Sequence, residues 1–365
     1  MTLPFGPPLA PMLAKASRAI PEGDFLYEPK WDGFRCPVFR DGDDLYLQSR
    51  NAKPLLRYFP ELRDPFLSAL PGTCVLDGEL VIATPGGLDF DALNARQHPA
   101  ESRVRRLAVE TPATFIAFDL IALGGDDLRG TPFAARREAL EQMAPGTPYM
   151  DLALPAHDAV PAADPPALVV TPATRDIKVA RDWFEHFEGA GLDGVVAKPA
   201  GEPYRAGERA LVKVKHERTI DCVVAGYRPH TDGSGVGSLL LGLYDGSGAL
   251  HFVGAASSFT RSQRVALLDD LAPLVLGDAA PHPWRAGSAD PSAPGARTPG
   301  GEHRWASGRD TSFVALRPER VVEVGFNQMT AGRFRHPARL LRPRPDRDPA
   351  SCHLSQLTPK GRGVV

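Results

Sequence analysis

Glu28-Pro29-Lys30-Trp31-Asp32-Gly33-Phe34-Arg35 sets an amine between two carboxylates. Side chains alternate in an extended segment, so Glu28, Lys30 and Asp32 would share one face. Alone, that trio is an ordinary solvated ion pair, and Lys-x-Asp-Gly recurs by chance. Three further stretches give it weight. Asp77-Gly78-Glu79 puts two carboxylates on one face of a run otherwise made of Val75, Leu76, Leu80, Val81 and Ile82. Carboxylates in an apolar strand are costly unless paired or metal-bound. Val212-Lys213-Val214-Lys215 sets two ammonium groups side by side with the valines turned inward. Phosphates lying over them would relieve that repulsion; the plainer alternative is an exposed edge carrying protective lysines. Asp193-Gly194-Val195-Val196-Ala197-Lys198 repeats the acid–base theme. Its spacing sets Asp193 and Lys198 on opposite faces of a regular strand, so either Asp193 sits at the turn entering that strand or only one of the two faces the site.

Residue usage points the same way. Of 42 Lys plus Arg, only Lys15, Lys30, Lys53, Lys178, Lys198, Lys213, Lys215 and Lys360 are lysines. Lysine can lose its proton when desolvated and act as a nucleophile, whereas arginine cannot. A lysine kept in an arginine-biased chain is therefore a candidate for a reactive amine. A second basic signal, Arg333, Arg335, Arg339, Arg342, Arg344 and Arg347, crowds one stretch interleaved with Phe334, Leu340 and Leu341. That footprint suits phosphate contacts made by a packed segment. A net charge of −2 neither supports nor excludes a nucleic-acid partner, because one basic face suffices.

The elements that must position these residues are mostly short strands. Leu26–Arg50 holds several, punctuated by Asp-Gly at 32–33 and 41–42. Cys74–Ile82, Phe115–Leu123, Gly194–Lys198 and Ala210–Lys215 are further strands. Helical spacing marks Ala134–Met143, with Leu140 and the Ala and Met residues as its apolar stripe, and Ile177–Glu188, with Val179, Trp183, Phe184 and Phe187, ended by Gly189–Gly191. Pro145–Pro172 reads as a loop-rich connection. After His216-Glu217-Arg218 come closely spaced strands at Asp221–Tyr227, Ser238–Tyr244, Leu250–Ala256 and Glu319–Phe326, with a helix at Arg261–Leu274. Several short strands and one helix suit a small oligonucleotide-binding barrel, with a domain boundary near residue 218 and a long Pro/Gly/Ala-rich loop at about 277–307. The 365 residues suffice for two such domains, and no internal repeat is visible.

Four cysteines, Cys36, Cys74, Cys222 and Cys352, lie far apart without metal-ligand spacing, as expected of buried thiols in a reducing compartment. No run approaches the ~20 apolar residues of a membrane helix, and the Pro-rich N-terminus does not resemble a signal peptide. The expectation is a cytoplasmic, nucleoid-associated protein without membrane contact.

Lys30-Trp31-Asp32-Gly33, Ser49-Arg50-Asn51, Asp77-Gly78-Glu79, Phe118-Asp119, Asp193-Gly194 to Lys198, Lys213-Val214-Lys215 and Arg344-Pro345-Asp346-Arg347 follow an order that resembles the motifs of the covalent nucleotidyltransferase superfamily. Within it, the chain is most similar to the small stand-alone C-type ATP-dependent DNA ligases of actinobacteria, from Pro11-Met12-Leu13-Ala14 through Cys352. Two departures are visible: Asp193 stands where Glu is commoner, and Arg347 where Lys is usual. The resemblance implies an α+β chain, with a nucleotidyltransferase (ATP-grasp-like adenylation) domain of antiparallel sheets and helices over 1–217 and an OB-fold β-barrel over 218–365. It implies ATP and Mg²⁺ as cofactors, with Mn²⁺ as a substitute.

Residue roles follow from the same resemblance. Lys30 would attack the α-phosphate of ATP to form lysyl-AMP, kept neutral by Lys213, Lys215 and the metal. Asp32 would position Lys30 or a metal-bound water; Glu79 and Asp193 would ligate the metal. Glu28 would read the adenine edge, Phe118 would stack on it, and Arg35 and Arg50 would hold ribose and phosphate, with Lys198 also at the nucleotide. Asp346 and Arg347 would close over the pyrophosphate about a hinge at His216-Glu217-Arg218-Thr219, and Arg333, Arg335, Arg342 and Arg344 would contact DNA. The implied partner is nicked duplex DNA, held by a monomer through phosphate contacts without base specificity; any repair partner protein is not legible. An RNA ligase or guanylyltransferase of the same superfamily, and a catalytically silent nucleic-acid-binding scaffold, are the competing readings.

Overall fold

Alternating burial along short strands organises the computed structural model, which describes residues 3–84, 87–143, 166–186, 192–216, 218–277, 280–285, 298–299, 312–330 and 332–357. The chain divides into two units, Met1–His216 and Glu217–Val365.

The first unit begins with β1 (Leu13–Ser17), β2 (Phe25–Pro29), β3 (Phe34–Arg35), β4 (Val38–Asp41), β5 (Asp44–Leu47), α1 (Arg63–Ala69) and β6 (Thr73–Val81). It continues through β7 (Ala83–Thr84), β8 (Gly87–Leu88), α2 (Phe90–Ala95), α3 (Glu101–Glu110), β9 (Thr114–Leu123), β10 (Asp126–Asp127), α4 (Phe133–Met143), β11 (Leu168–Val170), α5 (Ile177–His186), β12 (Val195–Pro199) and β13 (Arg209–Val214). One sheet has four strands in the order β1-β13-β12-β2; another has seven, following β10-β9-β6-β4-β5 with β11 on β9 and β3 on β6. Pairing is antiparallel except for β1 with β13 and β11 with β9. Pro29 closes β2, an edge strand, where its missing N–H costs no ladder bond. The Asp41-Gly42 signal becomes the β4–β5 hairpin, with Gly42 at φ +64°.

Strand alternation gives each sheet two different faces. On β12, Val195 and Ala197 join the core formed with Tyr27, Trp31, Ala180 and Trp183, while Val196 and Lys198 turn to the opposite side. On β6, Cys74, Leu76 and Leu80, followed by Ile82 just past its end, enter a second core with Phe59, Phe66 and Phe115, leaving Asp77 and Glu79 on the other face. Two glycines permit close strand approach. A Cβ on Gly33 would lie 2.0 Å from the Leu80 carbonyl oxygen, and one on Gly194 2.0 Å from that of Val214. Gly194 also adopts φ +129°, which only glycine takes readily.

Both expected helices of this unit form, but their inward faces differ from the sequence reading. Val179 is 38% exposed; Ala180 and Trp183 are buried, with Ile177 and Phe184 packed beside them. Phe187 and the Gly189–Gly191 stop lie outside the described residues. In α4 the buried positions are Phe133, Arg136, Arg137 and Leu140, so two arginines occupy the middle of the inward stripe. Most of 145–172 also falls outside the described residues, although Leu168–Val170 forms β11. His216, the last residue of the unit, stacks on Phe184 with ring centroids 3.8 Å apart.

The second unit contains β14 (Arg218–Pro229), β15 (Val236–Tyr244), β16 (Leu250–Ala256), α6 (Arg261–Leu271), β17 (Val314–Phe326), β18 (Met329–Thr330), β19 (Arg333–Phe334) and β20 (Arg339–Pro343). Its five-stranded sheet, β16-β15-β14-β17-β20, is antiparallel throughout. Its core gathers Cys222, Val224, Leu239, Leu241, Val253, Trp284 and Val324. Thr260 caps α6 in a reciprocal capping box with Gln263. This is the small OB-fold expected after the first domain; most of the 277–307 loop lies outside the described residues. No helix among the described residues is long and apolar enough to cross a membrane.

Candidate active site

The two sheets of the first unit line a cleft. Ala14 comes from β1 and Met12 from just before it, Val196 and Lys198 from β12, and Leu211 and Lys213 from β13. Glu28 to Trp31 contribute from the end of β2, and Arg35, Glu79 and Phe118 from β3, β6 and β9. Apolar walls with a few convergent charges suit a small-molecule ligand.

Lys30 is fixed by backbone pairing that continues past Pro29. Its N–H donates to the Gly194 carbonyl at 2.8 Å, and the Asp193 N–H donates to the Lys30 carbonyl at 2.8 Å. Asp193 therefore sits at the turn entering β12. Its carboxylate pairs with Lys30 at 2.8 Å and Lys215 at 2.5 Å. Burial disfavours charge on Asp193, but Lys30 and then Lys215 outweigh it and hold the carboxyl below its ordinary value. The sequence reading set cations beside Lys30; the structure adds this carboxylate between the two amines. Lys213 faces the cleft next to Leu211, opposite Val196, and burial followed by the Lys215 and Lys30 charges lowers its pKa. Lys213 and Lys215 thus belong to the same cluster as Lys30.

Glu79 is pushed up to about 7 by burial, against the opposing charges of Arg35 and Lys30. Asp77 is fully buried and takes two hydrogen bonds of 2.6 Å from Arg35 and one of 2.7 Å from the Tyr204 hydroxyl. Arg35 thus lines the cleft with its guanidinium anchored on Asp77 and stacked 4.4 Å from the centre of the Phe118 ring. Lys198 lies 4.5 Å from the same ring and donates to the Phe118 carbonyl at 2.8 Å.

Glu28 lines the cleft yet is only 2% exposed. Burial raises its pKa, while Lys198 at 2.7 Å and Arg137 at 3.3 Å oppose that. Lys198 is itself lowered by burial, with Glu28 opposing. Perturbed acids and bases gathered in one cleft mark a functional site. Arg136 and Arg137, which hydrophobic periodicity cannot find, support it from beneath: Arg136 forms a bidentate pair with Asp119 at 2.8 and 2.9 Å. Their signal was positional, since residues 133, 136, 137 and 140 follow helical spacing.

Not every expected residue gathers here. Arg50 is exposed in the turn after β5 and does not line the cleft. Asp32 follows Trp31 and contributes its charge beside Glu79. Among the described residues no group of three or more His, Cys, Asp or Glu forms a ready metal cage. Asp193, paired with Lys30, and Glu79, which feels the Lys30 charge, instead suit a hard cation that takes its remaining ligands from phosphate and water.

In the second unit, Arg344 was expected at DNA but is turned onto its own domain. It contacts both Asp221 oxygens at 3.0 Å and pairs with Asp346 at 2.9 Å, leaving its side chain 17% exposed. Arg347 lies 3.6 Å from Asp221. Arg342 is 63% exposed beside Glu323, Arg335 donates to Gln328 at 2.8 Å, and Arg333 lies 5.1 Å from the centre of the Phe252 ring.

Residues 8–215 match the family model described as the ATP dependent DNA ligase domain, and residues 232–347 the ATP dependent DNA ligase C terminal region. The chain is 53% identical to DNA ligase C of Mycobacterium tuberculosis over 361 residues, covering 98% of this chain and 96% of the relative. It is 47% identical to DNA ligase C1 of Mycolicibacterium smegmatis over 368 residues, with the same coverage of 98% and 96%. A solved structure of a Lig E DNA ligase shares the fold at a TM-score of 0.54 and 18% identity, covering 92% of this chain and 99% of that one.

Proposed function

The chain belongs to the ATP-dependent DNA ligase family, and from that premise we propose that Lys30 carries the AMP through which it seals nicks in duplex DNA. It is an ATP-dependent DNA ligase; the superfamily's RNA ligases and guanylyltransferases, and the silent scaffold, are not favoured by relatives matching 98% of the chain.

One observation carries the assignment of Lys30: its amine opens into the cleft beside Asp193, in a cluster that also holds Lys213 and Lys215. The free amine attacks the α-phosphorus of ATP, forming an N–P bond as the bond to pyrophosphate breaks. Lys213 and Lys215 supply positive charge for the phosphates. AMP then passes to a DNA 5′-phosphate, and the neighbouring 3′-hydroxyl displaces it to leave a phosphodiester. Each step is an in-line displacement governed by positioning and charge.

Glu28 and Phe118 form the base end of the cleft, with Lys198 behind them and Arg35 toward the sugar. Asp32 orients the Lys30 segment. Glu79 and Asp193 would hold Mg²⁺, or Mn²⁺ in its place, which when bound neutralises phosphate charge. Arg50, outside the cleft lining, is assigned to phosphate on the resemblance alone. In the second unit, Asp346 and Arg347 are assigned to the pyrophosphate of ATP, with Arg333, Arg335 and Arg342 on the DNA backbone; Arg344 acts through Asp346. The protein works as a monomer in DNA repair, in the cytoplasm at the nucleoid.

Incubation with α-labelled ATP and Mg²⁺ should label the wild-type chain in an acid-labile bond, and Lys30→Ala should remove the label. A folded Lys30→Ala protein that still accepts AMP would sink the assignment.

A further inference from the structure

Arg137 projects from α4 into a place where an apolar residue would be expected, and it is 5% exposed. One N–H points to Glu28 Oε1 at 3.3 Å, another to the Thr171 carbonyl, and a third to Glu141 at 2.7 Å. Thr171 is fully buried, and its hydroxyl accepts a 2.7 Å hydrogen bond from the Trp31 indole. Through Glu28 on one side and Thr171 on the other, Arg137 reaches both flanks of Lys30. The second Glu28 oxygen meets Lys198 at 2.7 Å. A single carboxylate that lines the cleft thus faces two cations.

We propose that Arg137 is a specificity-determining positioning residue: with Lys198 it fixes the Glu28 carboxylate as a hydrogen-bond acceptor toward the nucleobase, so that a purine carrying a 6-amino group is preferred to one carrying a 6-oxo group. The inference rests on the reading above that Glu28 faces the base.

An ionised carboxylate only accepts hydrogen bonds, whereas a protonated one can also donate. Burial alone favours the protonated acid, and the nearby negative charge of Asp119 acts in the same direction. Lys198 from β12 and Arg137 from α4 are the cations in contact that oppose it. Asp119 is in turn paired with Arg136, the neighbour of Arg137 on the same helix. An adenine amino group would donate to the ionised carboxylate. A 6-oxo group would set acceptor against acceptor in a closed site, where an unmade hydrogen bond is costly. Without Arg137, Glu28 would lose one anchor and one reason to stay charged, and the 6-oxo purine would be penalised less.

The test is single-turnover self-adenylylation of the full chain with ATP and with ITP, which differ at the 6-position. It is run for wild type, Arg137→Gln, Arg137→Lys and Glu28→Gln, with thermal melting of each. Wild type should prefer ATP. Arg137→Gln should cut the ATP:ITP ratio of rate over KM by about tenfold or more, chiefly through a higher KM for ATP. Arg137→Lys should keep part of the preference, and it carries the test should Arg137→Gln not fold. A wild type indifferent to the base, or an Arg137 variant that loses both nucleotides by the same factor, overturns the proposal. Glu28→Gln separates the two layers. An unchanged ratio in that variant removes Glu28 from the base, whereas a ratio changed there but not in the Arg137 variants removes only Arg137.

Discussion

Charged side chains at the centre of this protein are held in pairs, and the partner decides what each can do. Arg35 reaches the cleft wall because Asp77 fixes its guanidinium, and Asp77 can be fully buried because Arg35 and the Tyr204 hydroxyl satisfy it. Tyr204 is the neutral member of this set and hence the most informative to change. Tyr204→Phe keeps the ring and removes one donor from a buried carboxylate, so it should cost about 1–2 kcal/mol in urea unfolding. Burial and then the Asp77 charge raise the phenol well above its ordinary value of 10.0. The folded protein therefore keeps this proton at a pH where the unfolded chain has released it. The stability contributed is fully present below pH 10 and is lost as pH rises beyond that toward the folded-state value. The phenylalanine variant should show a shallower alkaline decline than wild type; parallel declines would show that Tyr204 does not stay protonated through the linkage.

Elements were legible where one periodicity ruled and obscure where a charge stood in for an apolar residue. The strands at 73–81 and 114–123 followed from apolar runs, that at 209–214 from two-residue alternation, and the Asp41-Gly42 hairpin from turn chemistry. The ordered motifs grouped Lys30, Glu79, Asp193 and Lys213; alternation aims Glu79 on β6 and Lys213 on β13, whereas Lys30 follows β2 and Asp193 sits at the turn entering β12. Nothing local could show that β1 pairs in parallel with β13, with Leu13 opposite Arg209. The inward face of α4 was missed because Arg136 and Arg137 break the hydrophobic stripe. Arg136 is 1% exposed and tied to Asp119, itself 4% exposed. Removing one member strands a buried charge, so Arg136→Leu should cost about 3–5 kcal/mol. Replacing both, Arg136→Leu with Asp119→Leu, should recover most of that loss, since the double change removes the charge left without its partner. Additive losses in the urea-melt cycle would mean that the two side chains act independently.

At the scale of the whole molecule, the proposed chemistry is divided between a unit that carries Lys30, the proposed nucleophile, and a unit that carries Arg344, Asp346 and Arg347. Within the second unit these three are organised by Asp221, which no motif singled out. Asp221 lies on β14, opposite Glu323 of β17, close after the unit begins. Its carboxylate accepts both Arg344 bonds at 3.0 Å and faces Arg347 at 3.6 Å, and its carbonyl accepts from Gln356 at 3.2 Å. Arg344 passes that anchoring on to Asp346. Asp221→Asn keeps the shape of the side chain and removes the charge that orders the turn. A charge-assisted hydrogen bond contributes roughly 1.5–3 kcal/mol, which corresponds to about 10–100-fold in a rate that depends on the ordered turn. If Asp346 and Arg347 serve the pyrophosphate of ATP, self-adenylylation should fall by that factor in Asp221→Asn. Sealing of a nick by protein already carrying AMP should fall far less, because pyrophosphate has left by then. Thermal melting guards against a folding defect. Equal losses in the two steps would separate Asp221 from adenylylation and place the role of the 344–347 turn elsewhere in the reaction.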